Sequence, residues 1–142
     1  MYLAGVFRST NNGMNWARYG LGEGDLLYSL LPTSSSFFVG TYGAVFRTTN
    51  NGTNWQILLN GLTNNHIRAL TVLGTNLFAG THGGIFKSTN DGDFWSPVNS
   101  GLTDTYVQTL ITVGSNLFAG TDGGGIFSPG IMVLVGILLM QA

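Results

Sequence analysis

The sequence "STNDGDFW" at residues 88–95 occurs three times in this chain with small changes. The other copies are "STNNGMNW" at 9–16 and "TTNNGTNW" at 48–55. Glycine supplies the positive φ that a sharp hairpin needs, and Asn and hydroxyl side chains can bond to nearby backbone amides. We therefore predict a structural turn in each copy, rather than an ion site, followed by an indole that lies between sheets. The predicted turn residues are Ser9, Asn11, Gly13, Trp16, Thr48, Asn50, Gly52, Trp55, Ser88, Asn90, Gly92 and Trp95.

The repeat has one period throughout the chain. The tryptophans are 39 and 40 residues apart, and Gly40, Gly80 and Gly120 are 40 residues apart. Short apolar runs bounded by glycine turns are typical of strands, and no stretch has helical periodicity. In the best-preserved copy the runs are 66–72, 76–81, 84–88 and 94–98. Four antiparallel strands in each period are typical of a β-propeller blade. We predict an all-β fold of such blades in an incomplete ring.

The blades divide the chain unevenly. Residues 1–130 are predicted to be a partial propeller, and the apolar segment 131–142 is either a final strand or a truncated end. A propeller typically needs at least four blades, and this chain has material for about three. We expect a fragment of a longer propeller, with self-association through unpaired end blades and an open stack as alternatives. The predicted units are a part-blade at 1–19, blades at 26–59 and 65–99, and a part-blade at 105–128.

Composition excludes several classes of function. Charged residues make up only 8% and the net charge is -1, so no basic face for nucleic acid is present. The chain has no Cys, and its two His residues, His66 and His82, are sixteen residues apart, so we expect no metal and no cofactor. The apolar run at 131–140 is shorter than the roughly 20 residues that span a membrane. The N-terminal residues do not resemble a secretory signal.

The turn phrase resembles the Asp-box, or BNR, repeat, with the pattern S-x-D-x-G-x-T-W. This repeat occurs in sialidases, sortilin-type receptors, photosystem II assembly-factor-like proteins and some xyloglucan hydrolases. The resemblance covers about residues 1–128, although Asn11, Asn50 and Asn90 stand at the Asp position. It implies that the turns lie on the outer rim, away from any active site, and that the protein is extracellular or in the cell envelope.

The opposite edge of the blades is the predicted ligand face. If the repeated turns share one edge, which we call the bottom, the turns between the second and third strands and the links between blades share the top. Scaffold positions repeat, whereas binding positions are free to differ between blades. The candidate ligand-binding residues on the top are Tyr42, His66, His82, Asp104, Tyr106 and Asp122.

No catalytic residues are predicted. The resemblance to sialidases implies three arginines around a substrate carboxylate, but Arg8, Arg47 and Lys87 share one repeated position and are interpreted as solvated strand residues. We expect a non-catalytic segment that binds an unknown protein or glycan. The alternative is a fragment of a sialidase-like or xyloglucanase-like glycoside hydrolase, for which Asp104 and Asp122 are a conceivable carboxylate pair.

Overall fold

The computed structural model describes residues 5–21, 25–123 and 138–141, the last segment by its backbone alone. None of these residues is in a helix, and the strands form four antiparallel sheets that we number 1 to 4 in chain order. Sheet 1, the first hairpin, is β1 (Phe7–Arg8) and β2 (Ala17–Arg18). Sheet 2 is β3 (Leu27–Pro32), β4 (Phe37–Thr41), β5 (Val45–Thr48) and β6 (Gln56–Leu58). Sheet 3 is β7 (Ile67–Leu73), β8 (Asn76–Thr81), β9 (Gly84–Ser88) and β10 (Ser96–Pro97). Sheet 4 is β11 (Val107–Val113), β12 (Asn116–Thr121) and β13 (Leu138–Gln141).

The sheets repeat in register as well as in strand order. Leu70 of β7 pairs with Ala79 of β8, and Leu110 of β11 pairs with Ala119 of β12, forty positions later. The pairing shifts by one residue at the start of β3, β7 and β11 alike. The predicted fold class, four-stranded antiparallel blades in an unclosed ring, is confirmed.

Apolar clusters lie between consecutive sheets. Side chains alternate across a strand, so Leu77 contributes to the cluster between sheets 2 and 3, whereas Phe78 contributes to the cluster between sheets 3 and 4. Phe38 and Leu58 of sheet 2 meet Trp95 of sheet 3 in the first of these clusters. Sheets 2 and 3 therefore each have one face toward the preceding sheet and one toward the following sheet.

The three tryptophans differ in burial, contrary to the expectation that each indole lies between sheets. Trp95 is fully buried, Trp55 is partly buried beside the first hairpin, and Trp16 is 63% exposed. The reason is that the indole packs on the preceding sheet. Within the described residues nothing precedes the first hairpin, so the prediction for Trp16 was wrong.

The third strand of sheet 4 comes from the C-terminal segment. Leu138 of β13 pairs with Ala119, just as Phe86 of β9 pairs with Ala79. The end of the part-blade predicted at 105–128, and residues 131–137 of the apolar segment, lie outside the described residues. Residues 138–141 therefore form the third strand of sheet 4, in the position that β9 has in sheet 3.

Candidate functional site

The repeated turns are closed by their own side chains. In the turn of sheet 3, the Ser88 hydroxyl accepts the N–H of Gly92 at 2.9 Å and donates to Asn90 Oδ1 at 2.9 Å. The same Asn90 oxygen accepts the N–H of Phe94 at 3.0 Å. The other two turns have the same three bonds. The hydrogen bonds of these side chains are therefore made within their own turn.

Two consecutive residues in each turn have positive φ. Asp91 has φ 58° and Gly92 has φ 88°. Positive φ was predicted for the glycines alone, but Asn12 and Asn51 share the left-handed conformation of Asp91. Asn and Asp tolerate this region better than other non-glycine residues, which explains their presence before the glycine.

Arg47 connects sheet 2 to the turn of sheet 3. Its Nη1 donates to the backbone oxygen of Asp91 at 2.6 Å and lies 3.1 Å from Asp91 Oδ2, and its Nη2 lies 2.9 Å from Asp93 Oδ1. The Arg47 side chain is only 13% exposed. The interpretation of Arg47 as a solvated strand residue was wrong, because its guanidinium group pairs with the acidic turn of the next sheet. These contacts give Asp91 and Asp93 a structural role.

Aromatic and imidazole rings from three sheets lie in contact at the opposite edge. His66 and His82 have ring centroids 3.6 Å apart, and His82 stacks on Tyr106 at 3.7 Å and 22°. Tyr42 lies 4.4 Å from His66, and Tyr28 lies 5.3 Å from it. We call these five residues the ring row. Four of them are candidates from the sequence, and the tertiary structure brings those four together.

The ring row lies at positions where the repeats differ. Three sets of positions, each spaced by forty residues, meet there, and no set has the same residue twice. They are Leu26, His66 and Tyr106; Tyr28, Arg68 and Gln108; and Tyr42, His82 and Asp122.

A polar line runs beside the rings. The guanidinium of Arg68 lies 4.4 Å from the ring centroid of Tyr28, and its Nε donates to Gln108 Oε1 at 3.0 Å. Gln108 Nε2 is 3.4 Å from Asp122 Oδ2. Tyr28, Arg68 and Gln108 were not predicted from the sequence. The signal that could have found them is the alternation of side chains along a strand, which places His66 and Arg68 on the same face.

Asp104 lies behind Tyr106. Its Oδ1 accepts the N–H of Tyr106 at 2.9 Å, and Asn64 Oδ1 accepts the N–H of His66 at 3.1 Å in the equivalent place. These two side chains orient the backbone of ring-row residues. Asp104 Oδ2 is shielded from solvent and has no hydrogen-bond partner among the described residues.

Both histidines are held in the neutral form. Burial lowers the pKa of His66, and the nearby Arg68 charge lowers it further. Burial also lowers the pKa of His82, as do His66 and Arg68, while Asp122 acts in the opposite direction. The Nε2 atoms of both rings are shielded and lack a hydrogen-bond partner within the described part of the chain. At neutral pH the two imidazole rings are therefore uncharged.

Residues 5–21, 25–123 and 138–141 contain neither a cluster of potential metal ligands nor a helix that could span a membrane. No three His, Cys, Asp or Glu side chains in these ranges lie close enough to share a metal ion. No helix in these ranges is long and apolar enough to cross a bilayer.

The comparisons with known proteins identify a fold rather than a family. No protein-family model matches the sequence, and no curated protein matches it. Among solved structures, the chain is similar to the extracellular domain of BT4673 from B. thetaiotaomicron, with 22% identity, a TM-score of 0.67, and coverage of 82% of this chain and 18% of that one. It is also similar to an ancestral GH74 enzyme, with 22% identity, a TM-score of 0.63, and coverage of 84% and 19%.

A third similar structure is YCF48 bound to D1 peptide, with 20% identity, a TM-score of 0.54, and coverage of 83% of this chain and 41% of that one. This chain therefore spans less than half the length of each of the three proteins. At these identities the likeness shows the fold alone. The chain has the fold of part of a β-propeller.

Proposed function

We propose that this chain is a non-catalytic segment of an Asp-box propeller, which binds a protein or a glycan through the ring row. The observation that carries this proposal is the contact of five rings, from three sheets, at positions where the repeats differ. Positions that serve only the common fold, such as the turn residues, stay nearly the same in each copy. Ligand recognition requires residues that need not repeat between blades, and these five lie on one connected surface.

The surface has the chemistry of a binding site. Tyr42 and Tyr106 are 57% and 43% exposed, so their rings offer faces and edges to a ligand. Arg68, Gln108 and Asp122 add a cation, an amide and an anion next to the rings. Rings with a few oriented polar groups are typical of ligand sites. YCF48 has been solved with a bound peptide, which supports a protein ligand, and the GH74 neighbour supports a glycan.

The turns fit the Asp-box assignment despite the Asn substitution. Asn50 Oδ1 accepts a backbone N–H and a hydroxyl proton, and both bonds need only an acceptor oxygen, which Asp also provides. We further propose that this chain forms one part of a larger propeller ring and has an extracellular or cell-envelope location, the latter supported by the extracellular BT4673 domain.

Binding can be tested with a glycan array and a peptide array as probes. We expect a signal on one of them, and we expect Tyr106→Ala and His82→Ala to weaken it at least tenfold. Ile57→Ser is the matched control, because Ile57 is 58% exposed on β6, away from the ring row. Silence on both arrays, or binding that ignores the ring-row changes, would contradict the proposal.

The alternative function is that of a glycoside hydrolase fragment whose remaining active site lies elsewhere. The observation in its favour is the shielded Asp104 Oδ2 near the ring row, together with the GH74 neighbour. Release of sugar from xyloglucan, abolished by Asp104→Asn or Asp122→Asn, would establish it. Binding without sugar release favours the non-catalytic role.

A further inference from the structure

The first hairpin has a largely exposed aromatic face, whose two rings, Phe7 and Trp16, also line an open cleft beside Ser36 and Phe37 of sheet 2. Phe7 is 49% exposed and Trp16 is 63% exposed. Their counterparts in sheet 3, Phe86 and Trp95, are 1% and 0% exposed. Those two side chains are buried because they pack on the preceding sheet, in the cluster that contains Phe38. The Phe7–Trp16 face is therefore one half of an interface that the chain builds in full elsewhere.

Sheet 4 has the opposite half. Ile111 and Val113 are 59% and 58% exposed. Their counterparts in earlier sheets pack toward the following sheet: Leu31 in the cluster between sheets 2 and 3, and Leu73 in the cluster between sheets 3 and 4. Phe118, the counterpart of the buried Phe38, is only partly buried. This side of sheet 4 therefore corresponds to the side that packs on the following sheet in sheets 2 and 3.

The two faces complement each other within one chain. One is the side that a sheet presents to its predecessor, and the other is the side that a sheet presents to its successor. Neither set of named side chains carries a charge, so their contact requires no burial of an unpaired ion.

We propose that the Phe7–Trp16 face of the first hairpin packs on the Ile111–Val113–Phe118 face of sheet 4 in a second copy of this chain. The contact continues the stacking of sheets across the boundary between molecules. It is heterologous, so it generates rings or open chains rather than an isolated two-fold dimer. The occupant is a second copy because the internal interfaces show what each face accepts, and the chain itself supplies both halves. This assembly does not depend on ligand binding at the ring row, so a failure to find a ligand would not contradict it.

The test uses the full chain, whose mass is 15.1 kDa. Light scattering should show a mass above that of one chain that rises with protein concentration. Trp16→Ser and Ile111→Lys should each lower the mass to one chain at concentrations where the unsubstituted protein associates. Ile57→Ser, on the exposed side of β6, should leave association unchanged.

Mixing the two variants gives the sharpest result. The Trp16→Ser chain keeps an intact sheet 4 face, and the Ile111→Lys chain keeps an intact hairpin face. An equimolar mixture should therefore form a dimer that grows no further. A one-chain mass for the unsubstituted protein, association that neither variant affects, or a mixture that stays monomeric would each overturn the proposal.

Hydrogen exchange on the unsubstituted protein keeps the test independent of variant folding. Amides near Trp16 and Ile111 should gain protection together as protein concentration rises. Equal exchange at all concentrations would also overturn the proposal.

Discussion

Single side chains close each repeated turn, and each has a definite bonding partner. In the turn of sheet 2, Asn50 Oδ1 accepts the Asn54 N–H at 2.9 Å and the Thr48 hydroxyl at 3.0 Å, while the Thr48 oxygen accepts the Gly52 N–H at 2.9 Å. The required property of residue 50 is thus an acceptor oxygen at the right distance. Its charge is not used by these bonds.

Replacement of Asn50 tests this requirement. Asn50→Ala removes the acceptor and should lower the free energy of unfolding by about 1 kcal/mol, the usual net value of such bonds. Asn50→Asp keeps the oxygen and should equal or exceed the unsubstituted protein. Urea denaturation measures both. Equal losses for Ala and Asp would show that the bonds are not the stabilising element.

At the scale of the strand and the sheet, the burial of an equivalent residue depends on which sheet precedes it. Trp95 has sheet 2 before it and is fully buried, whereas Trp16 has no described sheet before it and is 63% exposed. The two residues follow nearly the same local sequence. Their environments differ because the indole extends out of its own sheet.

Truncation of the two tryptophans should therefore have unequal effects. Trp95→Ala leaves a cavity between sheets and should destabilise the chain by about 3–5 kcal/mol. Trp16→Ala, measured by denaturation at a concentration where the chain is monomeric, should change stability by about 0.5 kcal/mol or less. Similar losses at both positions would mean that Trp16 is buried in the free monomer.

The link between sheets 2 and 3 has a glycine that no other residue can replace without distortion. Gly61 has φ 85°, and a β-carbon there would collide with the Trp95 carbonyl group. Gly74, in the β7–β8 turn, has φ 62° and nothing within 4 Å of such a carbon.

Alanine substitutions at Gly61 and Gly74 distinguish the cost of a left-handed backbone from the cost of a steric collision with Trp95. Gly74→Ala should cost about 1–2 kcal/mol, the penalty of the left-handed conformation. Gly61→Ala adds the collision and should cost more than Gly74→Ala in the same denaturation assay. Equal costs would show that the backbone near Trp95 moves aside freely.

At the scale of the whole molecule, the ring row that joins three sheets contains the two histidines. His66 and His82 are in contact, Arg68 is close enough to lower the pKa of both, and burial is the main cause of the lowering. The folded chain therefore binds protons less readily than the unfolded chain. Protonation of the two rings favours the unfolded state.

Stability should accordingly depend on pH. The contribution of the histidines is fully present above the ordinary His pKa of 6.5 and is lost as the pH falls through the lowered pKa values of the folded chain. Denaturant midpoints measured from neutral to mildly acidic pH should decrease in this window. The double variant His66→Asn, His82→Gln should show a flatter profile, and an equally steep one would contradict the assignment.

Much of the architecture follows from local sequence. The period of forty residues predicts the four-stranded blades, because each strand run and each turn is specified by neighbours in the chain. The lengths of the apolar runs and the positions of the glycines were enough to predict β8 and β9. Their predicted bounds, 76–81 and 84–88, equal the observed ones. The same logic failed for Arg47, since its carboxylate partners lie 44 and 46 residues away.

The candidate site was predictable in part. The difference between repeats singled out Tyr42, His66, His82 and Tyr106, and chain direction placed them on one edge. It did not show that their rings touch, nor that Arg68 and Gln108 connect to Asp122 beside them. The contacts of Tyr42 with His66, of His82 with Tyr106 and of Arg68 with Gln108 join different sheets, and the angle between sheets is not specified within any one repeat.

Local sequence thus specified the blade, its turns and the edge where variation accumulates, because bonds within a period depend on residues a few positions apart. The stacking of sheets specified which tryptophan is buried, which arginine is paired and which rings meet. Those properties depend on surfaces roughly one period apart in the chain, and they exist only when one sheet lies against the next.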